Sequence, residues 1–228
     1  MKRLSTIVAV LAISFGSNIL NAQVTSSSFS SGGVARSSAS GVGNTRINAM
    51  SSASGGGYAE ARMTGTGLRG GFASGSAIAA SHGGVAIAHG NSDARGWGAR
   101  SSSTAVAGSN FGTAIAIDSA RARGNASATS MSGAFTTGGL AIANSGADAR
   151  GRFGGRGVAS STAISAVDFG VGVSRSRASA TGLLGGFAGS NSGAYSVGIG
   201  GFRSSSASAT SGAILGGVSM SDAIHIAP

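Results

Sequence analysis

Arginines separated by a single residue recur in this chain: Arg121 with Arg123, Arg150 with Arg152, and Arg175 with Arg177. In an extended strand, residues i and i+2 lie on one face about 7 Å apart. Each pair would therefore present two guanidinium groups side by side. A guanidinium is planar, permanently charged and able to donate two parallel hydrogen bonds to a carboxylate, sulfate or phosphate. These six arginines are the candidate anion-binding residues. The same groups on a sheet surface also serve solubility and discourage unwanted strand pairing, so both readings stand at this point.

Other reactive constellations are weak. His82, His89 and His225 lack metal-ligand spacing, and although His89 and Asp93 would share a strand face, two residues do not make a zinc site. Gly65-Thr-Gly-Leu-Arg-Gly70 matches G-x-G-x-x-G, but no helical pattern follows it and the chain holds 42 glycines. Such a match is expected by accident. There is no G-x-S-x-G elbow, and many serines beside three histidines do not suggest a hydrolase triad. Asp93, Asp118, Asp148 and Asp168 are too sparse for a calcium-binding nonapeptide repeat. Asn125-Ala-Ser127 fits the glycosylation pattern, and Trp97 follows Arg95 on the same face as a sugar-stacking or strand-ending residue. No catalytic, cofactor-binding or metal-ligating residue is assigned. The expected protein is not an enzyme and needs no cofactor.

The elements that would position the arginines are legible in an alternation of small residues. From Gly112 to Ala134 the even positions are Gly112, Ala114, Ala116, Ala120, Ala122, Gly124, Ala126, Ala128, Ser130, Ser132 and Ala134, with Asp118 as the exception. The odd positions carry Thr113, Ile115, Ile117, Arg121, Arg123 and Met131. Period two is the signature of a strand with one small face and one bulky face. Similar runs recur after residue 30, with parity flipping at breaks such as Gly70-Gly-Phe72, Ser109-Asn-Phe-Gly112, Asp168-Phe-Gly170 and Gly185-Gly-Phe187. Glycine and asparagine at those breaks suit tight turns. On the bulky face apolar residues precede arginine, as in Leu140 and Ile142 before Arg150 and Arg152, or Val171 and Val173 before Arg175 and Arg177. Stacking in register would build an apolar strip beside a basic one.

A longer return is present as well. Gly84-Val-Ala-Ile-Ala88 with Asp93-Ala-Arg-Gly96 reappears 55 positions later as Gly139-Leu-Ala-Ile-Ala143 with Asp148-Ala-Arg-Gly151. Ser102-Ser-Thr-Ala105 reappears as Ser160-Ser-Thr-Ala163, and Phe111-Gly112 as Phe169-Gly170. Returns of this kind mark arrays whose units bury their faces on one another.

Composition agrees. The 228 residues include 42 Gly, one Pro and no Cys, with 5% aromatic and 10% charged residues. Few large side chains are available for a globular core, and no disulfide can replace one. Lys2 and Arg3, the apolar run 4–15 and Ala22 read as a signal peptide over residues 1–22. The remaining 14 basic residues are all arginine and face six acids, a net charge of about +8. No later segment reads as a transmembrane span.

The expected fold is all-β: a repetitive β-solenoid, β-roll or stacked β-meander with faces lined by Ala, Gly and Ser. Residues 23–30 are expected as a flexible serine-rich lead-in and 31–228 as the array, clearest over 84–137 and 139–200. The alternating text loosely resembles the head repeats of trimeric bacterial adhesins and secreted amyloid-forming matrix proteins. It lacks the short period of the former and the Gln/Asn ladders of the latter, so no family is assigned. The expected function is a secreted, extracellular or cell-surface structural and adhesive protein that self-assembles into a fibre or matrix. The alternative is a monomeric arginine-lined module for an anionic glycan, lipopolysaccharide or nucleic acid. A weaker alternative is an ice- or crystal-binding solenoid.

Overall fold

The computed structural model describes residues 21–226 except 69–70, 153–155, 184–185, 199 and 215–217. The signal peptide thus lies outside the described residues, apart from Asn21 and Ala22. Eleven strands follow in order: β1 (Asn21–Ser31), β2 (Val34–Val42), β3 (Asn44–Ser54), β4 (Tyr58–Gly67), β5 (Phe72–His82), β6 (Val85–Asn110), β7 (Gly112–Gly151), β8 (Arg156–Leu183), β9 (Phe187–Val197), β10 (Gly200–Ile214) and β11 (Val218–Ile226). Every pairing between them is parallel. A meander would need antiparallel neighbours. The chain is a β-solenoid, coiling so that each turn lies on the one before.

Each coil contributes one rung to each of two broad faces. The first face stacks β1, β3, β5, residues 100–110, 126–136 and 157–167, then β9 and β11. The second stacks β2, β4, residues 85–97, two passes of β7, residues 169–183 and β10. The two passes of β7 meet where the Arg152 amide donates to the Gly124 carbonyl at 3.1 Å. Residues 23–30, expected as a flexible lead-in, lie in β1 as the first rung. There Val24, Ser26, Ser28 and Ser30 are half-buried, while the odd positions between them are exposed.

The small face of each strand is the interior. Ala114, Ala116, Ala120, Ala122, Ala126 and Ala128 are all buried. One methyl contributes less than about 1 kcal/mol on burial, so stability rests on repetition and on the continuous backbone ladder. The first coils also hold Ile47 and Met63 in the core. Later coils fill the equivalent space with serine. Ser192 donates to Ser176, Ser176 to Ser161 and Ser161 to Ser145, at 2.9–3.0 Å, and Ser145 lies 2.9 Å from Ser130. These residues alternate between the two faces, so the hydroxyls zigzag along the coil axis.

The two narrow edges differ. At one, the chain takes four residues to pass from the first face to the second in successive coils: Ser81 to Val85, Ser109 to Thr113, Thr136 to Leu140 and Val167 to Val171. A column of glycines, Gly57, Gly84, Gly112, Gly139, Gly170 and Gly201, runs through this corner. A Cβ on any of Gly84, Gly112, Gly139, Gly170 or Gly201 would overlap the carbonyl oxygen of the glycine in the preceding coil. Five phenylalanines, Phe29, Phe111, Phe135, Phe169 and Phe202, are exposed along the same side. Phe111 has φ 56°, one coil after Gly83 with φ 72°.

At the opposite edge the passage lengthens along the axis. Val42 to Thr45 takes three residues. Thr66 to Ala73, Asp93 to Ser101 and Arg121 to Ala128 take seven, eight and seven, and Asp148 to Ala159 and Ser179 to Ser190 take eleven. The full coil accordingly grows from 24 residues (Val34 to Tyr58) through 28 (Val85 to Thr113) to 31 (Leu140 to Val171). The return of 55 residues in the sequence is two coils, one of 28 and one of 27.

Candidate functional site: an arginine-bearing face and edge

Five of the candidate arginines point outward from the second face, because each sits at the parity opposite to the buried alanines, and Arg152 is exposed just past the end of β7. They do not form one ladder. Arg123 stacks on Arg95, and Arg150 follows in the next coil. Arg121 lies between Asp93 below and Asp148 above. Arg175 instead stacks on Asn144, and Arg177 on Gly146, four residues nearer the apolar side. Arg152 begins the long passage at the lengthening edge. The expected single basic strip therefore divides into an edge column and a separate mid-face pair.

Acidic neighbours divide the arginines further. Arg95 pairs with Asp93 at 2.8 Å, Arg150 with Asp148 at 3.2 Å, and Arg121 reaches Asp148 at 4.0 Å. In the first coils Glu60 takes both Arg36 and Arg62, at 3.2 and 2.9 Å. These pairs are largely exposed, where an ion pair contributes about 0–1 kcal/mol. Among the described residues Arg123, Arg152, Arg175 and Arg177 have no acidic partner within 4.0 Å. The Nε of Arg123 is buried without a hydrogen-bond partner.

Two arginines that the pair spacing does not single out lie at the same edge. Arg100 opens the rung after the bulge between Trp97 and Arg100, and Arg156 opens the rung two coils later. They help line a hollow together with Gly98, Ala99, Asn125, Ala126, Ser127 and Val158. The Asn125 side-chain carbonyl accepts the Arg156 amide at 2.8 Å, and the Arg156 guanidinium lies 5.5 Å from the centre of the Phe187 ring. The usable sequence signal was the arginine beside a glycine-rich break, not the spacing of arginines along a strand. Trp97, also on this edge, is exposed.

The apolar columns stand beside the arginines as expected. Ile87 stacks on Ile115, and Ile142 on Val173, with Val171 over Leu140. His89 sits in an outward column between Arg62 and Ile117, and burial together with the Arg62 charge lowers its pKa. No group of three His, Asp or Glu side chains that could hold a metal occurs among the described residues. The G-x-G-x-x-G match spans the end of β4, and Arg69 and Gly70 of it lie outside the described residues.

Asp118, the exception in the small-residue alternation, is buried in the interior. One carboxylate oxygen accepts the Ser103 hydroxyl. The other accepts the Ser130 hydroxyl at 2.7 Å and the Met131 amide at 2.9 Å. Burial raises its pKa from 3.8 to about 6 against the opposing pull of these donors. Sequentially adjacent coils place Gly90 and Ser145 at the same position, so the carboxylate is a local insertion into the hydroxyl file. No family model, curated protein or solved structure matches this chain.

Proposed function

We propose that this chain is an exported, non-enzymatic structural protein that assembles end to end into an extracellular or surface fibre. The observation that supports this reading is the pair of open ladder ends. Among the described residues β1 pairs only with β3 and β2 only with β4. At the other end β10 pairs only with β8 and β11 only with β9. Each such edge offers a row of unpaired backbone donors and acceptors, the template for adding another parallel strand. Ala207 and Ala209 of β10 are only half-buried, whereas their partners one coil earlier, Ser176 and Ala178, are buried. A second copy stacked on that end would cover them.

The lattice-binding alternative would use the first face, where Ser74 and Ser76, Ser102 and Thr104, and Ser160 and Thr162 share two outward columns. Met131 and Gly193 interrupt one of those columns, so axial assembly is the stronger reading. The test is negative-stain microscopy and light scattering of residues 23–228, with fibre diffraction of any filaments. Filaments with an axial repeat of about 4.8 Å are expected, and Ala223→Pro in β11 should shorten or abolish them. A chain that stays monomeric at high concentration overturns the proposal.

A further inference from the structure

We propose that the lengthening edge binds an acidic polysaccharide, which runs along the coil axis and is gripped in the hollow between Arg100 and Arg156. This goes beyond axial assembly and needs only the side of a single molecule.

The edge accumulates positive charge faster than the chain neutralises it. Arg95, Arg100, Arg123, Arg150, Arg152 and Arg156 all lie on it, and among the described residues only Asp93 and Asp148 answer them, pairing with Arg95 and Arg150. Arg95 and Arg123 are direct neighbours in adjacent rungs, a placement that like charges disfavour. A ligand bearing one anionic group every rung or two would relieve that repulsion. Growth of the passage from three to eleven residues occurs only at this edge, and it is what brings Arg152 and Arg156 into the structure.

The hollow has the donors that such a ligand requires. Arg100 and Arg156 stand two rungs apart, roughly 10 Å along the axis, with no acidic partner among the described residues. The ring of Phe187 supports the Arg156 guanidinium, and a planar group stacked in this way keeps its donating edge free. The Asn125 carbonyl is taken by the Arg156 amide, which leaves its NH2 group as a donor, and Ser127 adds a hydroxyl to the lining of the hollow. Guanidinium groups suit carboxylate or sulfate, and the amide and hydroxyl suit sugar hydroxyls. Single-stranded nucleic acid is disfavoured, since it is held by successive aromatic platforms. Among the described residues this edge offers only scattered rings: a half-buried Phe72 one rung below Arg100, the exposed Trp97, and a Phe187 ring already covered by Arg156.

The test titrates residues 23–228 with polygalacturonate, with heparin and with a thymidine oligonucleotide, at about 0.15 M salt. Saturable binding to polygalacturonate or heparin is expected; binding to polygalacturonate shows that carboxylate suffices, and binding to heparin alone shows that sulfate is required. Arg100→Gln with Arg156→Gln should weaken it about tenfold or more, the loss of two charge-assisted contacts. Arg175→Gln with Arg177→Gln removes equal charge from the flat face and should weaken it less than about threefold. Circular dichroism of both variants checks that the coil is intact. Equal losses in the two variants, no binding to either polysaccharide, or tighter binding of the oligonucleotide would each overturn the proposal. Filament formation is scored separately, so failure here leaves the assembly reading standing, and the reverse.

Discussion

The two narrow edges of this solenoid solve the same problem, reversing the chain between faces, under opposite constraints. At the glycine corner the passage stays at four or five residues from coil to coil, and backbone stacks directly on backbone. At the basic edge the passage grows from three residues to eleven and carries the arginines. The contrast shows that the coil is held in vertical register from one side only. The other side is free to differ in length and in chemistry.

Single alanine substitutions should expose this difference most strongly. Gly139 has φ +120° and no room for a Cβ above Gly112, whereas Gly98 at the basic edge has φ +78° and open space around it. Gly139→Ala should cost at least about 3 kcal/mol. Gly98→Ala should cost about 1 kcal/mol, the left-handed backbone penalty alone. Denaturant unfolding of the two variants measures both, and equal losses would erase the distinction between the edges.

An interior charge should affect both edges together. Asp118 has its folded pKa raised by burial to about 6 from 3.8. A raised carboxyl pKa favours folding fully below 3.8, and that contribution is lost as pH rises through about 6. Two units correspond to about 3 kcal/mol as an order of magnitude. Asp118→Asn should therefore be more stable than the parent at pH 7, with the gap closing towards pH 4. Thermal melts across that range check the sign, and a pH-independent difference would place the carboxyl in water.

The smallest effect tests tolerance of length. A Gly-Ser insertion between Arg152 and Arg156 should lower stability by less than about 1 kcal/mol, the cost of a slightly longer loop. The same insertion between Thr137 and Gly139 should prevent the coil from closing on its glycine column. Comparable melting temperatures for the two insertions would show that the edges are equivalent after all.

Much of the architecture was readable from residue order. The small-residue alternation around Ala114, Ala116, Ala120 and Ala122 named the buried face, because strand geometry fixes which side chains share a side. Parallel stacking was not readable, since alternation is the same in a meander. Vertical alignment was hidden for a different reason. Coils of 24, 28 and 31 residues leave no single period in the text, so the six paired arginines seemed aligned although Arg175 and Arg177 stand apart. Ser127-Ala-Thr129 and Ser179-Ala-Thr181 look like a repeat, yet they lie on different faces. Arg100 and Arg156 were missed because their proximity depends on passage length, a property of the three-dimensional coil. Residues 23–30 read as a linker because serine at an inward position is indistinguishable, by composition, from serine in a tail.

The glycine column behaves as the spine of a book whose leaves vary in width. A new coil inserted by duplication needs only to bring one unsubstituted residue to that spine, after which its girth is unconstrained. Lengthening and diversification can therefore proceed leaf by leaf at the fore-edge without disturbing the binding.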